Sequence, residues 1–169
     1  MEKNNKYYSN KQESAIADYL GWSQVSGSGS RPFAPGDVNE YQWLGECKTH
    51  TTERDNIVFL KSHWFKICEE ARGKGRYPIL FVDNGTQRIE NIWVMTYSRI
   101  FSPEKVNAIV GLKNTSTKGN SLTFNMDSAK TLYKQNMIDN KFGVFKITWD
   151  TELAVMPLST FRDYLEEYF

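Results

Sequence analysis

The sequence predicts a single α/β domain whose central mixed sheet is flanked by helices. Stretches with apolar residues at helical spacing alternate along the chain with short apolar runs typical of buried strands, such as residues 78–82. The chain has 169 residues, of which 40% are hydrophobic and 14% aromatic, so one sizeable core is expected. This composition favours an ordered protein over a disordered chain.

The first helix is predicted over residues 9–20. Residues 9–12 match a capping box, and Gly21 suits the left-handed conformation that ends many helices. Glu13 falls on the apolar stripe of this helix, where a carboxylate is costly unless it is paired, hydrogen-bonded or bound to metal. A favourable interaction with the helix dipole is the alternative interpretation of Glu13. The other members of the stripe are Ile16, Ala17 and Leu20.

A β-hairpin is predicted to follow. Asp37 begins one short strand, residues 39–40 form a turn, and residues 42–48 return as the second strand. Side chains alternate along a strand, so Glu46 and Lys48 share a face with Cα atoms about 6.6 Å apart. Two carboxylates held close together repel each other unless a cation or proton lies between them. A hard divalent metal such as Mg²⁺ relieves that repulsion and can activate water, whereas the alternative is an exposed strand with alternating charges.

Between the helix and the hairpin lies a Ser/Gly-rich segment, residues 26–32. It separates a predicted edge strand, residues 22–25, from Asp37, which is too early in the chain for a linker between domains. Glycines allow the backbone to approach a phosphate closely, and neighbouring side chains supply donors. A mobile loop is the alternative interpretation. The candidate donors are Ser28, Ser30 and Arg31.

The middle of the chain predicts further strands and helices. Apolar runs place strands at residues 57–60, 78–82 and 91–95, with a turn at residues 84–85. A helix is predicted to begin at a Ser62 cap, and another at Ser102-Pro103. The first of these two helices is expected to bury Trp64, Ile67, Cys68 and Ala71.

Residues 1–112 are predicted to form the core, and residues 113–169 a C-terminal β-α-β-β-α extension packed on the same domain. Its strands are placed at residues 121–125, 143–149 and 153–156, and Asp127 is predicted to cap its first helix. The aromatic residues at the end of the chain have helical spacing and pack either on the protein's own core or on a partner subunit. They are Phe161, Tyr164, Tyr168 and Phe169.

The two parts of the chain share a short similarity. Residues 94–98 resemble residues 155–159, through either chance convergence of two strand-to-helix corners or duplication. The second unit has apolar residues 110–112 where the first has residues 46–48. It therefore cannot provide a second catalytic centre.

The order of Glu13, the Ser-Gly-Ser loop, Gly36-Asp37 and Glu46-x-Lys48 resembles the PD-(D/E)xK nuclease superfamily, whose fold is restriction-endonuclease-like. Within it, the similarity is closest to the Holliday junction resolvases of archaea and phages. It covers residues 9–83, and Gly36 replaces the proline usually written before the aspartate. The resemblance implies an Mg²⁺-dependent endodeoxyribonuclease that acts on branched DNA as a homodimer.

The resemblance also implies roles for individual residues. Asp37 and Glu46 would ligate Mg²⁺, for which Mn²⁺ can substitute, and the backbone carbonyl of Cys47 is a further candidate ligand. Glu13 would complete the site directly or through a bound water. Lys48 would orient or deprotonate the attacking water and stabilise charge on the phosphate. One metal ion and two remain equally open.

Contacts with DNA are assigned to basic and polar side chains near the site and in the densest basic cluster, residues 72–76. The net charge is only +1, but residues 49–113 carry 10 basic and 7 acidic side chains. Solvated surface positions are the alternative for each side chain. The candidates are Ser28, Ser30, Arg31, His50, Lys61, Arg72, Lys74 and Arg76, with His63 as a further one.

Composition also argues against several classes. No apolar run approaches the roughly 20 residues that span a bilayer, and the amino terminus does not resemble a signal peptide. Two cysteines are too few for a disulfide framework or a zinc site, and two histidines make a histidine metal site improbable. A cytoplasmic location is expected, in the host if the chain is phage-encoded.

Two other functions stay open. One is a related nuclease of restriction, repair or recombination that cuts duplex, nicked or flapped DNA. The other is a non-catalytic DNA-binding module with the same fold. A module without catalysis has no physical reason to keep clustered like charges, which favours an enzyme.

Overall fold

The computed structural model describes residues 3–25 and 34–169, and these fold into one α/β structure. The described helices are α1 (Asn5–Leu20), α2 (Lys61–Lys74), α3 (Met126–Gln135) and α4 (Leu158–Tyr168). The strands are β1 (Ser23–Gln24), β2 (Val38–Asn39), β3 (Trp43–Lys48), β4 (Asn56–Leu60), β5 (Tyr77–Val82), β6 (Trp93–Tyr97), β7 (Val106–Ile109), β8 (Ser121–Asn125), β9 (Phe142–Thr148) and β10 (Glu152–Pro157). None of the described helices has the length and apolar character needed to cross a membrane.

Eight of these strands form one mixed sheet in the order β1-β2-β3-β5-β6-β10-β9-β7. β3 runs parallel to β5, and β7 runs parallel to β9, whereas the other neighbours are antiparallel. β4 and β8 pair with each other in a separate antiparallel sheet. The predicted α/β class with a large mixed sheet and flanking helices is therefore confirmed.

The large sheet is covered on both faces, and this explains its continuous apolar strands. One face packs against α2, α3 and the small sheet, while the other packs against α1 and α4. All of residues 78–82 in β5 are buried, as expected for a strand between two layers. The helix side chains buried on the two faces include Trp64, Ile67 and Ala71 of α2, and Ile16, Ala17, Leu158 and Phe161 of α1 and α4.

The section after residue 112 runs in the order β8, α3, β9, β10, α4. β10 lies inside the large sheet between β6 and β9. The two similar segments found in the sequence lie on neighbouring antiparallel strands, where Val94 pairs with Met156. Phe161 and Tyr164 are buried in the protein's own core.

Three helix starts differ from those predicted. α1 begins at Asn5 and is capped by Asn4, whose side chain accepts from Tyr7 N, so the capping box at residues 9–12 is wrong. α2 follows β4 directly and has no side-chain cap, which places Ser62 inside its first turn. In α3 the cap is Asn125, which accepts a hydrogen bond from Ser128 N, and Asp127 lies in the first turn.

The helix predicted at Ser102-Pro103 is also wrong. The chain there forms a turn, closed by a hydrogen bond from Lys105 N to Ser102 O, and then enters β7. The strand predicted at residues 91–95 begins instead at Trp93, because residues 89–91 form a short 3-10 helix. By contrast, Gly21 ends α1 in the predicted left-handed conformation, with φ of 71°.

Candidate active site

The predicted hairpin forms and holds Asp37 beside β3. Val38 pairs with Gly45 across the antiparallel β2–β3 ladder, and Asp37 N donates to Gly45 O at 2.8 Å. The Asp37 carboxylate turns back to the same strand, where its Oδ2 accepts a hydrogen bond of 2.8 Å from Cys47 N. The hairpin therefore brings Asp37 to the strand that carries Glu46 and Lys48.

Gly36 shapes the approach to Asp37. Its φ is +75°, a left-handed conformation that favours glycine, and a Cβ here would lie 2.7 Å from Leu44 Cδ1. Its backbone N–H donates to Glu70 Oε2 of α2 at 3.1 Å. The residue before Asp37 is thus fixed by both its own conformation and the helix that covers the sheet.

Glu13 is the candidate carboxylate that α1 contributes. Its side chain accepts a hydrogen bond of 3.0 Å from Gln24 Nε2, and only 8% of the residue is exposed. Burial raises the pKa of the Glu13 carboxyl, the Gln24 hydrogen bond opposes that rise, and the negative charges of Asp37 and Glu46 add to it. The three carboxylates therefore lie close enough to interact electrostatically.

Glu46 is the most buried of these carboxylates, with 3% of the residue exposed. Its Oε1 is 2.8 Å from Lys48 Nζ and 3.4 Å from Lys66 Nζ. Lys66 Nζ also lies 3.7 Å from Glu70 Oε1, one turn further along α2. Burial lowers the pKa of Lys66, but Glu46 and Glu70 outweigh that effect and raise it overall.

A buried polar network fixes the backbone at the end of β3. Gln12 Nε2 donates to the carbonyl of Lys48 at 2.7 Å and to Asp83 Oδ1 at 3.3 Å. The other carboxylate oxygen of Asp83 accepts from Gln87 N, and Gln87 Nε2 donates to Thr49 Oγ1 at 2.9 Å. Burial raises the pKa of Asp83, whereas its hydrogen bonds oppose that rise.

Carboxylate oxygens are the ligands that Mg²⁺ prefers, so the donor types of Glu13, Asp37 and Glu46 fit this ion. In residues 3–25 and 34–169, however, no set of three or more His, Cys, Asp or Glu side chains stands ready to hold a metal. Both lysines contact Glu46 Oε1 at the position where a cation would bind. A cation that bound Glu46 Oε1 would compete with both ammonium groups.

The backbone of Cys47 faces the candidate site, whereas its side chain is buried in the core. The side chain alternates away from Glu46 and packs in the core on the α1 face. Burial raises the pKa of this thiol well above its ordinary value. Its backbone N–H holds Asp37, and its carbonyl stays a candidate ligand.

Three candidate DNA contacts lie at the site end of the fold. His63 lies on α2 one turn before Lys66, which contacts Glu46, and burial and Lys48 lower the pKa of His63. His50 follows β3 closely, and burial and Arg54 lower its pKa. Lys61, the first residue of α2, lies with its ammonium 5.7 Å from the ring centroid of Trp149.

The basic cluster lies at the other end of the sheet. Arg72 and Lys74 occupy the last turn of α2, and Arg76 immediately precedes β5. The register pairs Tyr77 with Trp43 and Val82 with Lys48, so about 16 Å of strand separates the cluster from Lys48. The structure therefore does not bring the cluster to the site. The predicted contacts Ser28, Ser30 and Arg31 lie outside the described residues.

Four residues of the site region were not identified from the sequence. In the sequence, Lys66 and Glu70 have the spacing of an ordinary i,i+4 ion pair on a helix surface. No neighbouring residue indicates that Lys66 contacts Glu46. A usable signal was the strand-helix-strand order, because a helix between two parallel strands packs over them. Gln12 and Asp83 meet only through tertiary contact.

Comparisons of the chain with protein-family models, with curated proteins and with solved structures find no match. The function is therefore argued from the geometry of the site and from the resemblance of its motif.

Proposed function

We propose that the chain is a divalent-metal-dependent endodeoxyribonuclease with a restriction-endonuclease-like core. The observation that carries the proposal is the hairpin, which holds Asp37 against Cys47 N beside the Glu46–Lys48 pair of β3. The charges of Asp37 and Glu46 also raise the pKa of Glu13 on α1. Like charges gathered at a half-buried place are costly to folding, and a cation that joins them offsets this cost. The resemblance also implies that a helix near residues 61–72 covers the site sheet, and α2 packs on the sheet there.

The side chains suit phosphodiester hydrolysis. A bound Mg²⁺ would supply Lewis-acid stabilisation of the phosphate and a more acidic water. Asp37 and Glu46 would hold that ion, and Glu13 would hold it directly or through water. Lys48 lies 2.8 Å from Glu46, so its ammonium would stand beside the ion and orient the attacking water or offset charge on the phosphate.

We propose branched DNA as the substrate, because the motif order resembles that of Holliday junction resolvases. Two matched nicks across a junction require two active sites related by a two-fold axis, so a homodimer is proposed as the active form. Related nucleases cut duplex, nicked or flapped DNA instead. Cleavage of a four-way junction in preference to a linear duplex of the same sequence separates these substrates.

The proposal is tested by cleavage of junction, flap and duplex DNA with Mg²⁺ or with EDTA. Asp37→Asn and Glu46→Gln each remove a charged ligand and are expected to reduce cleavage at least about 100-fold. Glu69→Gln is the matched control, since Glu69 is an exposed carboxylate on α2, and it should cleave normally. Undiminished cleavage by either site variant, with its circular dichroism and Tm retained, would contradict the proposal.

A non-catalytic DNA-binding module is the second candidate. It is favoured by the two ion pairs that Glu46 makes with Lys48 and Lys66. It is also favoured because no group of three or more His, Cys, Asp or Glu side chains among the described residues could hold a metal ion. Calorimetric titration with Mn²⁺ distinguishes the two candidates. The enzyme is expected to bind Mn²⁺ in a manner that Glu46→Gln abolishes, whereas the module binds none.

A further inference from the structure

Lys66 connects the candidate active site to the solvent-facing side of α2. Its ammonium lies between two carboxylates, 3.4 Å from Glu46 and 3.7 Å from Glu70. The Lys66 side chain is 55% exposed, compared with 37% for the Lys48 side chain and 4% for that of Glu46. Lys66 is therefore the more exposed of the two cations that neutralise Glu46.

The two lysines contact the same oxygen of Glu46, but not equally. Lys48 is closer, at 2.8 Å, and it projects from the same strand as Glu46. Lys66 is further away, belongs to a different element, and has Glu70 as a second partner. A divalent cation that binds Glu46 repels both ammonium groups, and the more distant and more exposed one moves at lower cost.

Charge balance supports the replacement of the Lys66 ammonium by a divalent cation at Glu46. When ionised, Glu13, Asp37, Glu46 and Glu70 with the two lysines carry a formal charge of −2, which one divalent cation neutralises. A DNA phosphate then adds a further negative charge. A lysine released from Glu46 can offset that charge without leaving the site, because Glu70 keeps it on this part of α2.

We propose that Lys66 is a phosphate-binding residue that Glu46 holds in the metal-free site and that a divalent cation releases towards the DNA. The inference rests on the proposed function. Before metal binds, the lysine keeps the buried Glu46 carboxylate neutralised. After metal binds, the same lysine contacts a backbone phosphate next to the one that is cut.

DNA binding tests this exchange. The logarithm of DNA affinity falls linearly with the logarithm of salt concentration. Each phosphate contact with duplex DNA adds about 0.9 to the steepness of this slope. Binding of a four-way junction is measured over a range of KCl concentrations, with Ca²⁺ as the divalent cation or with EDTA. Lys66→Met is expected to reduce the slope by about 0.9 in Ca²⁺ and by clearly less in EDTA. Lys134→Met removes an exposed lysine from the last turn of α3. It should leave the difference in slope between Ca²⁺ and EDTA the same as in the wild type.

Metal affinity provides a second readout, without DNA. Removal of a competing ammonium by Lys66→Met is expected to tighten Mn²⁺ binding about twofold to fivefold in calorimetry. Lys66→Arg keeps the charge and the contact with Glu46, so it should not tighten binding. Because Lys66 is exposed, both variants are expected to fold, and equal Tm values would verify this.

The outcomes separate this inference from the function on which it rests. Wild-type protein that binds neither Mn²⁺ nor DNA would end both. Wild-type protein that binds both, combined with an equal slope change for Lys66→Met in Ca²⁺ and EDTA or an unchanged Mn²⁺ affinity, would overturn only the role of Lys66.

Discussion

The side-chain amide of Gln12 donates a hydrogen bond of 2.7 Å to the backbone carbonyl of Lys48. This contact joins the middle of α1 to the last residue of β3, where the candidate site lies. The same amide group also donates to Asp83, immediately after β5. Gln12 is completely buried, so the ends of two parallel strands are fixed by a side chain that water does not reach.

Replacement of Gln12 by leucine tests this connection. Gln12→Leu has nearly the same volume, but it removes the donor to Asp83 Oδ1 and to the Lys48 carbonyl. Both acceptors keep another donor, because Asp83 N also donates to the Lys48 carbonyl and Gln87 N to Asp83. The loss is therefore that of two hydrogen bonds, each worth about 0.5–1.5 kcal/mol, and the free energy of unfolding should fall by about 1–3 kcal/mol. Urea denaturation measures the change. Lys11→Ala on the exposed face of α1 is the control, and an equal effect from both variants would contradict the role given to Gln12.

Gly36 and Gly75 form a matched pair for testing the loop before Asp37. Both have positive φ values, +75° and +64°, but a Cβ at Gly36 would meet Leu44 at 2.7 Å, whereas nothing lies within 4 Å at Gly75. Gly75→Ala should therefore cost only the backbone term of about 1–2 kcal/mol. Gly36→Ala should cost about 1–3 kcal/mol more through overpacking. Urea denaturation gives both values, and equal costs would show that Leu44 moves away freely.

The hairpin that carries Asp37, Glu46 and Lys48 could be predicted because its signals are local. The alternation of Glu46 and Lys48, the turn before β3 and the glycine that ends α1 each depend on a few neighbouring residues. The helix starts could not be fixed in this way. Asn4 and Ser9 are both good caps, and residues 5–7 of α1 are exposed, so no apolar pattern marks the first turn.

Pairings between distant segments could not be predicted either. β4 leaves the large sheet and pairs with β8, more than 60 residues later, and β10 enters the sheet between β6 and β9. Apolar strands covered on both faces have no alternation that specifies a neighbour. The contact between Lys66 and Glu46 depends on the same tertiary arrangement, so this part of the site required the structure.

Phe161 tests whether both parts of the chain unfold together. This α4 residue is fully buried, and its ring centroid lies 5.2 Å from that of Trp43 in β3. Phe161→Ala should reduce the free energy of unfolding by about 3–5 kcal/mol and keep a single transition. Tryptophan fluorescence and far-UV circular dichroism should report the same midpoint in urea. The exposed Asp163→Ala on α4 should change little, and separate transitions by the two probes would indicate independent units.

The Glu13 carboxyl makes stability depend on pH in the absence of metal. Burial, opposed by the Gln24 hydrogen bond and assisted by Asp37 and Glu46, raises its pKa above the ordinary 4.5. Folding therefore favours the protonated carboxyl, and this contribution is complete below about pH 4.5 and lost as the pH rises through the raised value. Glu13→Gln keeps an acceptor for Gln24 and cannot ionise. In EDTA, its stability relative to wild type should therefore increase between about pH 4 and pH 8, as measured by urea denaturation. An Asp37→Asn background removes one of the neighbouring charges and should reduce this increase, whereas a difference independent of pH would show that the carboxyl has the same pKa in both states.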